Sequence, residues 1–194
     1  MADNSGLGFN LDSFRSNFHT GARAYLFYIK PMLPSSVTNR LGSQSKISYL
    51  VRSSMLPDNT LEEIPASWQG YDYKVAGKYT FMDWTVTFNV DLAANLYKMF
   101  IDWQRLIHDP SSNVHRTPNE YFADQELQLL GLSGSPIMQY KLYGAWPKTV
   151  GQISLDYAQN DYAMFDVTFS YQYHLCDSIS YESQPTFGSQ VTLG

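Results

Sequence analysis

Residues 84–90 alternate strictly, with Trp84, Val86, Phe88 and Val90 on one side and Thr85, Thr87 and Asn89, continuing the phase of Asp83, on the other. That period of two is the signature of a half-buried strand. From Asp91, a candidate N-cap, the spacing changes to Leu92, Leu96, Phe100, Trp103 and Ile107, which predicts a helix over about residues 91–108. Its other face carries Asn95, Lys98, Asp102 and Arg105, with Lys98 and Asp102 spaced as an ion pair, and the helix stops before Pro110. A second long alternation covers 163–175, where Phe165, Val167, Phe169, Tyr171 and Tyr173 interleave with Asp166, Thr168, Ser170 and Gln172. GQISLDY (151–157) is expected to pair with it across the turn AQND, and DQELQLLGL and IMQYKLYGAW form strands flanking the turn SGSP (133–136).

Earlier in the chain, RAYLFYIK (23–30) reads as a strand apolar on both faces, which implies cover from another chain. SKISYLVRSS (45–54) reads as a strand with Ile47, Tyr49 and Val51 in phase. The segment between them and the 84–90 strand contains MLPDNTLEEIPASWQG (55–70), with two prolines, an acidic pair and the apolar residues Met55, Leu56, Leu61, Ile64 and Trp68. It is expected to be a long loop with a function of its own, because it carries too many hydrophobes for disorder. NLDSFRSNF (10–18) offers Asn10 or Asp12 as a cap for a turn or two of helix, or Phe14 and Phe18 as tacks for an arm. The polar, poorly periodic residues 177–194 read as a second arm.

Composition sharpens this outline. The 194 residues suit one domain, and 15 Tyr, 11 Phe and 4 Trp favour β structure and interfaces. Thirteen Lys and Arg against 18 Asp and Glu leave a net charge of −5, which argues against tight binding of nucleic acid. A single cysteine, Cys176, permits no internal disulfide, and no stretch has the length and apolarity of a signal h-region or membrane span, so a soluble protein folded in a reducing compartment is expected.

Candidate chemistry is sparse. His108, Asp109 and His115 lack the spacing of a metal motif, and a cation near a helix C-terminus is the simpler account. VAGKYT (75–80) departs from a phosphate-binding loop at Asp72 and Tyr79, and GLSGS (131–135) is a turn rather than a nucleophile elbow. The carboxylates Glu62, Glu63, Asp83, Asp102, Asp156, Asp161 and Asp166 offer many pairs and single out none. No catalytic, cofactor or metal residue is assigned. A β-barrel enzyme or ligand-binding module built on the aromatic clusters stays open as an alternative.

VAGKYTFMDWTVTFNVDLAANLYKMFIDWQ (75–104), LYGAWPKTVGQISLDY (142–157) and LPDNTLEEIP (56–65), in that family's order, closely resemble the tail tube proteins of contractile-tailed bacteriophages. The resemblance spans about residues 20–174. It implies a mainly β fold, a small barrel or sandwich of antiparallel strands with one flanking α-helix, between an N-terminal arm (1–22) and a C-terminal arm (177–194). It also implies a structural virion protein of the tail tube, assembled in the host bacterial cytoplasm into hexameric rings that stack into a hollow tube. Its implied partners are further copies of itself, the tail sheath, baseplate and tube-terminator proteins, a tape-measure protein in the lumen, and double-stranded DNA in passage. A tube initiator or terminator, or a secreted hexameric tube protein of an injection machine, is the neighbouring alternative.

Against that background Leu56, Leu61, Glu62, Glu63, Ile64 and Trp68 are candidates for contact between rings. At least one of two polar faces, Asp83/Thr85/Thr87/Asn89 or Asp166/Thr168/Ser170/Gln172, is expected to line the lumen, where small polar groups would let DNA slide. The insert at 105–120 is particular to this chain.

Overall fold

A computed structural model describes residues 21–158 and 160–178. Eleven strands and three helices make up these residues. The strands are β1 (Phe27–Pro31), β2 (Val51–Ser54), β3 (Asn59–Trp68), β4 (Tyr71–Phe81), β5 (Trp84–Asn89), β6 (His108–Asp109), β7 (Val114–His115), β8 (Ala123–Leu130), β9 (Pro136–Val150), β10 (Met164–Ser170) and β11 (Tyr173–Ser178). The helices are α1 (Gln44–Tyr49), α2 (Asn95–Ile107) and α3 (Pro118–Tyr121). The fold is mainly antiparallel β, as the patterning implies, with α2 the one long helix among the described residues.

Seven strands form one antiparallel sheet in the order β1-β8-β9-β10-β5-β2, with β11 also paired to β9. β9 is the hinge of this arrangement. Its first part pairs with β8 and β11, and its last residues pair with β10. The change falls at Gly144, which has φ 61, the left-handed region that favours glycine, and donates its N–H to Asp124 Oδ1 at 3.2 Å. The Gly-x-Trp-Pro sequence 144–147 is therefore a bend inside one continuous strand rather than a turn before a new one. The expected strand 151–157 is absent. β10 pairs instead with Val150 and its predecessors, and Gly151 sits against the backbone of Asp166, where a Cβ would come within 3.0 Å of the carbonyl oxygen.

The inner side of the sheet is covered by α2. Leu96, Met99, Phe100 and Trp103 are completely buried, each contributing about 1.5–3 kcal/mol by removal from water. Phe100 meets Phe88, Phe165 and Phe169 with ring centroids 5.2–6.1 Å apart. The helix starts later than its spacing suggests, at Asn95. Asp91 reaches forward to accept the Leu96 N–H at 3.0 Å, the intervening residues form a turn, and Leu92 is left fully exposed. Lys98 and Asp102 do not pair either. Lys98 Nζ donates to the Ala93 carbonyl at 2.9 Å, and Asp102 takes the fork of Arg40 from the distant 36–40 segment, with Nε at 3.1 Å.

Three further expectations change. Residues 44–49 are helix, not strand: Ile47 alone enters the core while Tyr49 points to solvent, a pattern that three in-phase residues cannot distinguish from a strand. β1 starts only at Phe27, after a turn at 24–25, and its own chain covers one side, through Ile29, leaving Tyr28 exposed on the side where another chain is expected to lie. The 163–175 alternation breaks after Ser170. Tyr171 turns into the core, and β11 restarts at Tyr173 and runs through Asp177 and Ser178, past the expected start of the C-terminal arm. The helix considered at 10–18, and the arms apart from their inner ends, lie outside the described residues.

Candidate assembly surfaces

The two polar faces named from the sequence lie side by side on one sheet. β5 and β10 pair with Thr85 opposite Thr168 and Thr87 opposite Asp166, and β9 adds Thr149 opposite Thr168. Because alternate side chains leave opposite faces, the burial of Trp84, Val86, Phe88, Phe165, Val167 and Phe169 forces this hydroxyl row outward. The Thr85 and Thr168 hydroxyls lie 3.1 Å apart, and Thr87 donates to Asp166 Oδ1 at 2.7 Å. Asp83, just before β5, accepts from Lys148 Nζ at 2.6 Å. Lys148 stands at a bulge in β9, where the register with β10 shifts. The cation beside this face is thus neutralised where it stands. Asn89 and Ser170 mark its ends, opposite Met164 and Trp146. Gln172 is separate, exposed in the break between β10 and β11 with its N–H donating to the Tyr143 carbonyl at 3.0 Å.

The segment expected as a loop is a hairpin. Residues 59–68 form β3, which pairs along its length with β4 around the two-residue turn Gln69–Gly70. Both turn residues have positive φ, 48 and 86, the arrangement that matches the twist of a tight hairpin. Every residue of β3 is exposed, and so are most of β4. One proline and an acidic pair inside it obscured the strand in the sequence. Pro65 is tolerated because a two-stranded ribbon leaves one edge of β3 unpaired.

The ribbon has unlike faces. Trp68 lies opposite Tyr71, Ala66 opposite Tyr73 and Ile64 opposite Val75 on one of them. A bulge between Leu61 and Glu63 puts its extra residue in β4, so β3 keeps its alternation and Leu61, opposite Tyr79, falls on the other face with Glu63. Gly77 lies beneath Ile64, where a Cβ would come within 2.8 Å of Ile64 Cγ1. Near the turn that other face is polar: Ser67 donates to Asp72 Oδ1 at 2.6 Å, and Glu63 pairs with Lys74 at 2.8 Å. Trp68 is 73% exposed and Tyr71 82%. Tyr71, Tyr73 and Val75 were missed in the sequence, although their alternation just beyond a Gln-Gly pair was the available signal. Leu56 lies off the ribbon, in a cavity of about 310 Å³ beside Met55, Phe27, Leu127 and Leu129.

The hairpin's root is held by a buried aromatic and imidazole cluster. His174 Nδ1 lies 3.3 Å from the Tyr171 hydroxyl and its Nε2 3.4 Å from Asn59 Nδ2, with Phe81 packed edge-on to its ring. Burial lowers the His174 pKa and pushes that of Tyr171 up to about 12. His108 and His115 stack at 4.1 Å, while Asp109 turns to its own loop by accepting from Ser111 and Ser112. Among the described residues no three His, Cys, Asp or Glu come together as a metal cluster, and no helix is long and apolar enough to cross a membrane.

The profile of the family described as phage tail tube protein matches residues 20–177. The chain belongs to that family. The tail tube protein gp19 of Enterobacteria phage T4 is 29% identical over 140 residues, covering 67% of this chain and 86% of its own length. The tail tube protein of Serratia phage KSP90 is 30% identical over 127 residues, 64% and 72% of the two chains. Among solved structures, a chain of the PVC sheath-tube complex, an extracellular contractile injection system in its extended state, shares the fold with a TM-score of 0.59 at 16% identity, over 88% of this chain and 99% of that one. As a phage tail tube protein the chain places both tryptophans of the 75–104 block that carried its resemblance at structural joints: Trp84 Nε1 donates to the Met55 carbonyl and Trp103 Nε1 to that of Tyr121, each at 2.8 Å.

Proposed function

We propose that this chain is the repeating subunit of a contractile phage tail tube, a structural rather than catalytic protein that forms hexameric rings stacked around a channel for DNA. Membership of the tail tube family over residues 20–177 is the observation that carries this reading. In it the hydroxyl face of β5, β10 and β9 lines the lumen. Each cation contacting phosphate adds salt-dependent affinity, so a wall meant to let a duplex slide needs polar groups without free positive charge. The threonine row, with Lys148 held by Asp83, has that character.

The apolar face of the β3–β4 ribbon makes the contact between rings, through Ile64 and Trp68 with Tyr71, Tyr73 and Val75, while Glu62 and Glu63 flank it. Five large apolar groups held in water on one ribbon are costly unless a partner covers them. The remaining partners follow from the same reading: sheath around the tube, baseplate and terminator at its ends, and a tape-measure protein and then DNA inside, in a virion assembled in the host bacterial cytoplasm.

Negative-stain electron microscopy of the purified protein across a concentration series, with light scattering, tests it. Hollow filaments of uniform width are the expected result. Stable single hexamers would assign the chain to a tube initiator, terminator or secreted tube, and a monomer with a saturable small-molecule site would overturn the reading.

A further inference from the structure

Neither assembly surface uses the segment after α2, which folds back as the β6–β7 hairpin. Asp109 locks that hairpin by accepting from the Ser111 N–H at 3.0 Å and from the hydroxyls of Ser111 and Ser112 at 2.8 and 2.9 Å. The stacked His108 and His115 rings and the left-handed Asn113 complete the turn. Arg116 is fixed at its foot, its N–H donating to the Ile107 carbonyl at 3.1 Å. With the 36–40 segment and the last turns of α2, this hairpin encloses an open groove of about 850 Å³.

The charges lining the groove do not balance. Arg40 is forked onto Asp102, and Asp109 is held below the usual carboxylate range by the hydrogen bonds of its own turn and by the nearby Arg105; the lining carries three arginines against two acids. Arg105 and Arg116 line the same groove without an ion pair among the described residues. With one positive charge in excess the cleft favours a further anion, and each of the two guanidiniums presents a planar fork matched to a carboxylate. Ser36, Thr38, Ser111 and Ser112 add hydroxyls around them. The groove also has a direction. α2 covers the side of the β5–β10 sheet opposite the threonine row, so a groove on α2 opens away from that row.

We propose that this groove docks an acidic segment of a protein that wraps the outer wall of the tube, with Arg105 and Arg116 receiving its carboxylates. The outward placement rests on the threonine row facing the lumen; the preference for carboxylates rests on the groove alone.

Fluorescence anisotropy with a labelled hexaglutamate peptide on assembled and on unassembled wild-type protein tests it. The expected result is saturable binding, weakened about tenfold in R105Q/R116Q and in about 0.5 M sodium chloride, and unchanged in R23Q. The single variant R116Q, read beside circular dichroism, guards against a folding defect and is expected to fall between wild type and the double variant. Equal binding by wild type and R105Q/R116Q, or none by wild type, overturns the proposal. Inorganic phosphate or a short DNA duplex that competes more strongly than the peptide assigns the groove to phosphate and overturns it too. If R105Q/R116Q forms no tubes where wild type does, the groove is a contact between copies and the proposal fails. Failure of the wild type itself to form tubes strikes the tube reading instead, and peptide binding to the unassembled chain still decides the preference for carboxylates.

Discussion

Gln125 is completely buried, and its amide does what a neighbouring strand would do: Nε2 donates to the Met32 carbonyl at 2.8 Å and Oε1 accepts the Met32 N–H at 3.1 Å. Replacing it by leucine keeps the volume and strands both Met32 groups, so Gln125→Leu is expected to cost about 2–3 kcal/mol, read from the urea midpoint. The sequence held a trace of this in the phase Gln125, Leu127, Leu129, which puts the glutamine on the core side. It held none of the partner, because Met32 lies 93 residues away. His174 was equally opaque as an isolated histidine in an aromatic strand. Burial lowers its pKa below the ordinary 6.5, so the unfolded chain binds the proton more readily. The stability that neutral His174 supplies is therefore complete above about pH 6.5 and is lost as pH falls towards and through its folded pKa. Thermal midpoints between pH 7 and 5 are expected to fall further for wild type than for His174→Gln; parallel curves would remove His174 as the cause.

At the scale of elements, α2 was legible because four fully buried residues at intervals of three and four outweigh its irregular start. β5 and β10 were legible because one face is core and the other solvent. The β3–β4 ribbon was not, since both its faces meet solvent in the single chain and burial imposes no pattern on it. Its apolar face is the subject of a direct test: Trp68→Ala with Ile64→Ala should shorten tubes or leave single rings while the chain's thermal midpoint changes little, as expected of side chains that touch no core. Unchanged tube lengths would remove the ribbon from ring stacking. The bend in β9 makes the opposite forecast. A Cβ at Gly144 meets Gln172 Cγ at 3.0 Å in a left-handed backbone, so Gly144→Ala is expected to lose about 1–2 kcal/mol of chain stability by thermal denaturation, whatever the state of assembly.

For the whole molecule, three strands of the sheet, β1, β2 and β11, each pair on one side only among the described residues. Unpaired edges invite other chains, and a ring satisfies them with copies of the same chain. That much follows from physics once the strand order is known, but the order itself was hidden: β8 lies between β1 and β9, far from β1 in sequence. Membership of the tail tube family supplied what period and composition could not. The exposed β3–β4 ribbon carries one more consequence. In a ring with cyclic symmetry every protomer points the same way, so all the ribbons emerge together and the two faces of the ring are unlike. A stack of such rings has a head and a tail. Growth can then proceed at an end that either offers ribbons or receives them, so that starting a tube and stopping it are chemically different acts.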